Sequence, residues 1–191
     1  MNDTSIARIP DGYEKIREAT NELEFPMASD VYTGNLLKTL VASKPSGMFL
    51  ELGTGTGLAT AWILAGMDSK SLLTTVENNE LLIEVAKKYI RDSRVEFVLT
   101  DGYEWIKNYK GPLFDFIFAD AMPGKYDLFD ETINMLNSHG YYIIDDMLPQ
   151  PNWPAGHDER VNHFIKRIEE RNDLLVTKLN WSTGIMIVVK K

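Results

Sequence analysis

MFLELGTGTG, residues 48–57, decides the reading of this chain. An apolar run ends there in glycines at every second position. A short buried run that stops at closely spaced glycines is a strand feeding a tight turn, because glycine takes positive φ without steric cost. A helical pattern, 57–66, follows at once. Working outward, SLLTTVE (71–77), RVEFVL (94–99), FDFIFAD (114–120) and YYIIDD (141–146) read as further buried strands, with helical stretches at 79–91, 101–109 and 126–137 between them. Repeated strand-helix-strand units of this size imply a parallel sheet with right-handed crossovers and helices on both faces.

Upstream, 11–24 and 29–42 read as amphipathic helices, with Ser29 or Asp30 as the second one's N-cap. Downstream come a proline-rich connection, LPQPNWPAG (148–156), a helix over 158–171, and strands over 174–181 and 184–190. Ser182-Thr183 separate those strands and Gly184 opens the second, which reads as an antiparallel hairpin. The expected fold is α/β: a doubly wound, seven-stranded, mostly parallel sheet with an antiparallel C-terminal hairpin. The chain reads as one domain, 1–191: N-terminal helices (1–45), a core (46–146), and a loop, helix and hairpin (147–191).

Composition narrows the chemistry. There is no cysteine, which excludes disulfides, zinc-thiolate sites and cysteine nucleophiles. The net charge is −8 and neither Lys nor Arg dominates any segment, which argues against a nucleic-acid partner. No apolar run approaches a membrane span, and MNDTSIARIPDGYEKI has no apolar leader core, so a cytoplasmic location is expected.

In an open parallel sheet, ligands bind beyond the carboxyl ends of the strands. Reading those ends in order gives Glu51 to Gly57, Glu77, Asp101-Gly102, Asp120 and Asp145-Asp146. An acidic residue stands at or just beyond every one. The glycine spacing is G-x-G-x-G (Gly53, Gly55, Gly57, with Thr54 between the first two), not the G-x-G-x-x-G of the dinucleotide fingerprint. Glu51, two residues before the first glycine, suits a cationic ligand better than a phosphate. S-adenosylmethionine carries a sulfonium and an ammonium, and fits; a tight turn without a ligand is the plainer alternative. Glu77 stands where a carboxylate accepts from both ribose hydroxyls of an adenosine, or where it favours a helix N-terminus. Asp101 either accepts from an adenine amino group, with Gly102 giving a backbone contact, or caps the next helix.

FLELGTGTGLAT, TTVENN, VLTDG and FDFIFAD together resemble the Rossmann-like S-adenosylmethionine-dependent methyltransferases, and more closely the cation-dependent O-methyltransferases of the caffeoyl-CoA and catechol type. The resemblance covers the chain from Met27 onward and includes the helix-plus-hairpin ending. It implies that Met27, Ser29, Glu51, Gly53, Thr54, Gly55, Gly57, Glu77, Asn78, Asp101, Gly102 and Asp120 hold the cofactor. It implies a Mg²⁺-type divalent cation on Asp120, Asp145 and Asp146, and pairing into a homodimer through the N-terminal helices. Two positions depart from the pattern. Asp146 replaces an asparagine, giving three carboxylates, an all-oxygen set that hard cations accept. Pro123 stands where the family has its general-base lysine, with Lys125 nearby but out of register. Catalysis is therefore assigned to Asp120 and Lys125. Asp145-Asp146 also read as an acidic strand end without metal. Trp153 in the proline-rich loop and Trp181 read as a wall for a small, catechol-like acceptor, or Trp153 as part of a rigid surface loop. His157 and His163 read as a helix-start and a surface residue. The rivals are a metal-independent small-molecule methyltransferase, a non-catalytic S-adenosylmethionine-binding protein and, further off, an NAD-dependent oxidoreductase.

Overall fold

The structure is a computed structural model that describes residues 5, 6 and 8–191, so residues 1–4 and 7 of the expected N-terminal region lie outside it. The elements run α1 (Tyr13–Glu22), α2 (Val31–Val41), β1 (Met48–Leu52), α3 (Leu58–Gly66), β2 (Leu72–Glu77), α4 (Glu80–Tyr89), β3 (Val95–Leu99), α5 (Gly102–Asn108), β4 (Phe114–Ala119), the turn α6 (Met122–Lys125), α7 (Phe129–Asn134), β5 (Leu136–Ile144), α8 (His157–Glu169), β6 (Leu174–Leu179) and β7 (Ile185–Lys190). Seven strands form one sheet in the order β3-β2-β1-β4-β5-β7-β6. β1 to β5 are parallel, and β7 runs antiparallel to both β5 and β6.

Alternation along the strands divides the core in two. Phe49, Phe116 and Phe118 face α1, α2 and α3, while Leu50 and Ile117 face α5, α7 and α8. Burying each such side chain is worth roughly 1.5–3 kcal/mol. α3 is apolar nearly all round because it is covered on both sides: Trp62 within it is fully buried, and a Cβ on Gly34 of α2 would sit 2.2 Å from the Trp62 ring. Asp30, not Ser29, caps α2 by accepting from the N–H groups of Tyr32 and Thr33, and Asn79 caps α4 in the same way.

The stretch 126–137, expected as one helix, is not one. Pro123 (ψ 138°) and Gly124 (φ 84°) break α6 into an irregular turn, Leu128 takes a left-handed conformation (φ 57°), and only Phe129–Asn134 is helical. β5 then starts at Leu136, five residues before the expected Tyr141. Its early part pairs only at Phe114↔Leu136 before the register shifts, so the apolar alternation that marks a strand begins later than the pairing. Among the described residues no helix is long and apolar enough to cross a membrane.

Candidate functional site

The chain reverses direction across the sheet between β1 and β4. A cleft of about 690 Å³ opens there, beyond the carboxyl ends of the strands. One end of it is made by the glycine turn. Gly53 (φ 99°), Gly55 (φ 52°) and Gly57 (φ 96°) are all left-handed. At Gly53 the requirement is also spatial, since a Cβ there would lie 2.6 Å from the Asp120 carbonyl oxygen. The N–H groups of Gly53 and Thr54 both donate to the Val76 carbonyl, at 3.0 and 3.2 Å. Gly53, Thr54 and Gly55 line the cleft.

Glu77 and Asn78, at the end of β2, line the same end. The Glu77 carboxylate accepts from the N–H of Gly55 at 2.8 Å on one oxygen, and from the N–H groups of Asn78 and Asn79 at 2.9 and 3.0 Å on the other. It thus braces the turn and stands at the opening of α4, in keeping with the helix N-terminus reading of this carboxylate. Met27 and Ser29, on the segment before α2, also line the cleft.

Four of the expected site residues do not line the cleft. Glu51 is fully buried behind the wall. Its Oε2 accepts from the hydroxyls of Thr60 (2.6 Å) and Thr75 (2.5 Å), and its Oε1 is buried with no partner. Burial pushes this carboxyl up to about 7, against the opposing pull of the two threonine hydroxyls. Gly57 serves packing: a Cβ there would meet Ala86 and Ile90 at 2.9 Å. Asp101 is exposed and caps α5, accepting from the Glu104 N–H at 3.0 Å. Trp181 packs edge-on against Tyr32 and donates its Nε1–H to the Tyr32 carbonyl at 3.1 Å, away from the cleft. Gly102 does line the cleft, where a Cβ would press on Pro123 at 2.8 Å.

The other end of the cleft collects charge and aromatic rings. Asp120, Lys125, Asp145, Asp146 and Trp153 all line it. Asp120 accepts from the Ser29 hydroxyl at 3.0 Å. Asp145 is buried and accepts from the Thr183 hydroxyl and the Asp146 N–H. Asp146 is held left-handed (φ 56°), an uncommon state for a non-glycine residue that the surroundings must over-determine. Burial, then the charges of Asp145 and Asp146, push the Asp120 carboxyl well above the usual range, with Lys125 and Ser29 opposing. Burial pushes Asp145 up to about 6, opposed first by the Thr183 hydrogen bond. Lys125 is almost fully buried and offsets both carboxylates.

Among the lining residues not assigned a site role from sequence, Tyr103, Tyr126 and His157 bring titratable side chains to this wall. The Tyr126 hydroxyl lies 3.3 Å from His157 Nε2, and the Trp153 ring meets the imidazole edge-on with centroids 4.6 Å apart. Tyr103 donates to Asp127 at 2.9 Å, and Arg160 pairs with that same carboxylate at 2.9 Å. The sequence signal available for this wall was the rigid proline-rich loop leading straight into His157.

The family profile described as O-methyltransferase matches residues 3–191. A Mycobacterium ulcerans protein whose O-methyltransferase name is itself provisional is 27% identical over 117 residues, covering 58% of this chain and 52% of that protein. The chain thus spans about half the length of the curated relatives it matches. Among solved structures, the Streptomyces achromogenes O-methyltransferase involved in tomaymycin synthesis, in complex with S-adenosylmethionine, superposes with a TM-score of 0.83 at 19% identity, covering 99% of this chain and 93% of that one. A Bacillus cereus O-methyltransferase bound to S-adenosylhomocysteine gives 0.83 at 21%, covering 97% and 93%. At such identities the likeness establishes the fold.

Proposed function

Since the chain belongs to the O-methyltransferase family, we propose that it transfers the methyl group of S-adenosylmethionine to a hydroxyl oxygen of a small, catechol-like molecule. The observation that carries this reading is one cleft with two unlike ends: a glycine turn braced by Glu77, and an acidic, aromatic chamber. The adenosine lies over Gly53 to Gly55 with its ribose at Glu77 and Asn78. Glu51, sealed behind the wall, supports the turn through Thr60 and Thr75 rather than by direct contact. Asp120 faces the sulfonium, with Met27 and Ser29 closing over the methionine portion. Trp153 stacks on the acceptor ring.

The acceptor oxygen attacks the methyl carbon in line with the departing sulfur. Much of the acceleration comes from holding the two in near-attack geometry, an effect worth up to ~7–11 kcal/mol in well-oriented systems. The net charge of −8 supports a small acceptor over a nucleic acid. Calorimetry with S-adenosylhomocysteine and with NAD tests the cofactor. Tight NAD binding with no response to S-adenosylhomocysteine would end this reading. Binding without methyl transfer to a phenol and catechol panel would reduce it to a non-catalytic cofactor-binding protein.

A second reading adds a divalent cation, favoured by three carboxylates on one wall. The donor set fits a hard ion in kind, and Asp120, Asp145 and Asp146 would hold it. When bound, it would polarise the acceptor hydroxyl. In arrangement the fit is poorer: no group of three acidic or histidine side chains among the described residues converges enough to hold an ion. Ser29 and Thr183 engage Asp120 and Asp145 separately, and Lys125 already supplies positive charge there. Mn²⁺ titration of the wild type and Asp145→Ala, beside activity with and without EDTA, decides it. Saturable Mn²⁺ binding lost with Asp145 supports the cation. Activity that survives both EDTA and the substitution removes it.

A further inference from the structure

We propose that Tyr126 and His157 together take the proton from the acceptor hydroxyl, the task left without a lysine at Pro123. This rests on the methyl-transfer reading above and deepens it by naming the proton's route. Both side chains line the acceptor end of the cleft. Tyr126 is buried, and its hydroxyl has His157 Nε2 as its partner at 3.3 Å. His157 is half-buried between the Tyr126 and Trp153 rings, both edge-on to it, so the imidazole is oriented yet keeps a route to water. Lys125, the other nitrogen base on this wall, is almost fully buried, with its Nζ over the Tyr126 ring at 5.2 Å from the centroid.

In this step the acceptor O–H bond breaks and its proton goes to the Tyr126 oxygen, while the Tyr126 proton passes to His157 Nε2. The pair of electrons freed on the acceptor oxygen forms the O–CH₃ bond. The S–CH₃ bond breaks with its pair left on sulfur, giving the neutral thioether of S-adenosylhomocysteine. His157 leaves the cycle as imidazolium and returns its proton to solvent.

This requires His157 to be neutral at the start, and its surroundings favour that. Burial lowers the imidazole first, then the cations facing it, Lys125 from the α6 turn and Arg160 from α8; Asp146 beyond β5 and Asp158 of α8 oppose them. The neutral base is present above its lowered value and lost as pH falls through it.

The test uses the full chain. In the wild type, kcat/KM for catechol should rise with pH through an inflection below about 6.5, the ordinary histidine value. His157→Gln should remove that inflection and lower kcat/KM by about 10²-fold, the low end for general-base catalysis, with S-adenosylhomocysteine affinity unchanged. Tyr126→Phe should fall to the same level, since both belong to one relay. A His157→Gln enzyme that keeps both the inflection and its rate within a few-fold would overturn the proposal. A second measurement needs no turnover. With S-adenosylhomocysteine bound, adding 4-nitrocatechol should move the His157 imidazole resonance in the wild type and not in Tyr126→Phe. No binding of 4-nitrocatechol would sink the acceptor class and the relay with it. Binding that leaves the resonance unmoved would sink the relay alone.

Discussion

On the cofactor side of the cleft, most side-chain bracing lies within one strand-turn-helix-strand unit, Glu51 to Glu77, with one hydroxyl from outside it, Thr20 of α1, bonded to Thr56. Thr60, Thr75 and Thr54 tie Glu51 and the turn together, and Glu77 holds the Gly55 N–H. On the acceptor side the wall is gathered from distant segments: Ser29 meets Asp120, Tyr126 meets His157, and Thr183 meets Asp145. A locally braced unit keeps its shape as long as its own backbone and buried groups are intact. A gathered wall depends on several loops arriving together, and changes there should register in acceptor binding before they register in folding.

The sharpest break of this contrast is a methyl group on the turn. Gly53→Ala combines a left-handed conformation (φ 99°), a penalty of ~1–2 kcal/mol, with a Cβ 2.6 Å from the Asp120 carbonyl oxygen. Overpacking of that kind adds ~1–3 kcal/mol, so the expected loss is roughly 2–5 kcal/mol in chemical denaturation, with cofactor binding lost in calorimetry. Gly156→Ala is the counterpart on the acceptor side. It carries similar strain (φ 80°) but meets nothing within 4 Å, so only the conformational penalty should appear. Equal losses at the two sites would dissolve the contrast.

Next in size is the sealed carboxylate. The folded Glu51 stands at about 7, above its ordinary 4.5, so folding favours the protonated form. The stability this contributes is fully present below about pH 4.5 and is lost as pH rises through about 7. Each tenfold gain in proton affinity on folding is worth about 1.4 kcal/mol, so by pH 8 the wild type should be less stable by about 3 kcal/mol on this account. Glu51→Gln, neutral at every pH, should flatten the stability curve between about pH 5 and 8. An unchanged slope would mean that water reaches Glu51 and the unit is less sealed than its contacts indicate.

The same division explains what could be read in advance. The succession of strands, the glycine turn, Glu77 and the C-terminal hairpin were legible because each is carried by short-range pattern: apolar alternation, closely spaced glycines, a carboxylate at a strand end. That Glu51 turns out sealed was not, since the threonines that bind it come from α3 and β2. Asp101 shows the limit of spacing alone: cap and ligand place a carboxylate at the same position, and the exposed side chain caps. The helix expected over 126–137 shrinks to Phe129–Asn134 because Leu128 takes a left-handed conformation and β5 already begins at Leu136, neither of which a short-range pattern signals. Tyr126 and His157, separated by thirty-one positions, carry no joint signal until the proline-rich loop brings them together.

Glu77 measures how far the cofactor side recognises rather than merely braces. Glu77→Ala should weaken S-adenosylhomocysteine by roughly 1.5–3 kcal/mol, the range for a hydrogen bond to a charged group. Glu77→Gln, which can still accept from the Gly55 N–H, separates the two roles. If both variants bind like the wild type, the adenosine does not lie at Glu77.

The smallest effect expected is also the most selective, and it concerns the two tryptophans that sequence placed together. Trp153 lines the cleft, whereas Trp181 sits behind it against Tyr32, joining the β6–β7 turn to α2. Trp153→Ala removes a stacking surface worth ~0.5–1.5 kcal/mol, so KM for an aromatic acceptor should rise by roughly 2- to 12-fold while cofactor affinity and melting temperature stay close to wild type. Trp181→Ala should do the reverse: a lower melting temperature, because a half-buried ring contact and the hydrogen bond to the Tyr32 carbonyl are lost, with KM unchanged. Steady-state kinetics beside thermal melts on the two variants gives the answer. A KM that rises equally in both would mean that the acceptor chamber extends behind its present wall to Trp181. In that case the gathered side of the cleft would be larger than the contacts of Trp153, Tyr126 and His157 define.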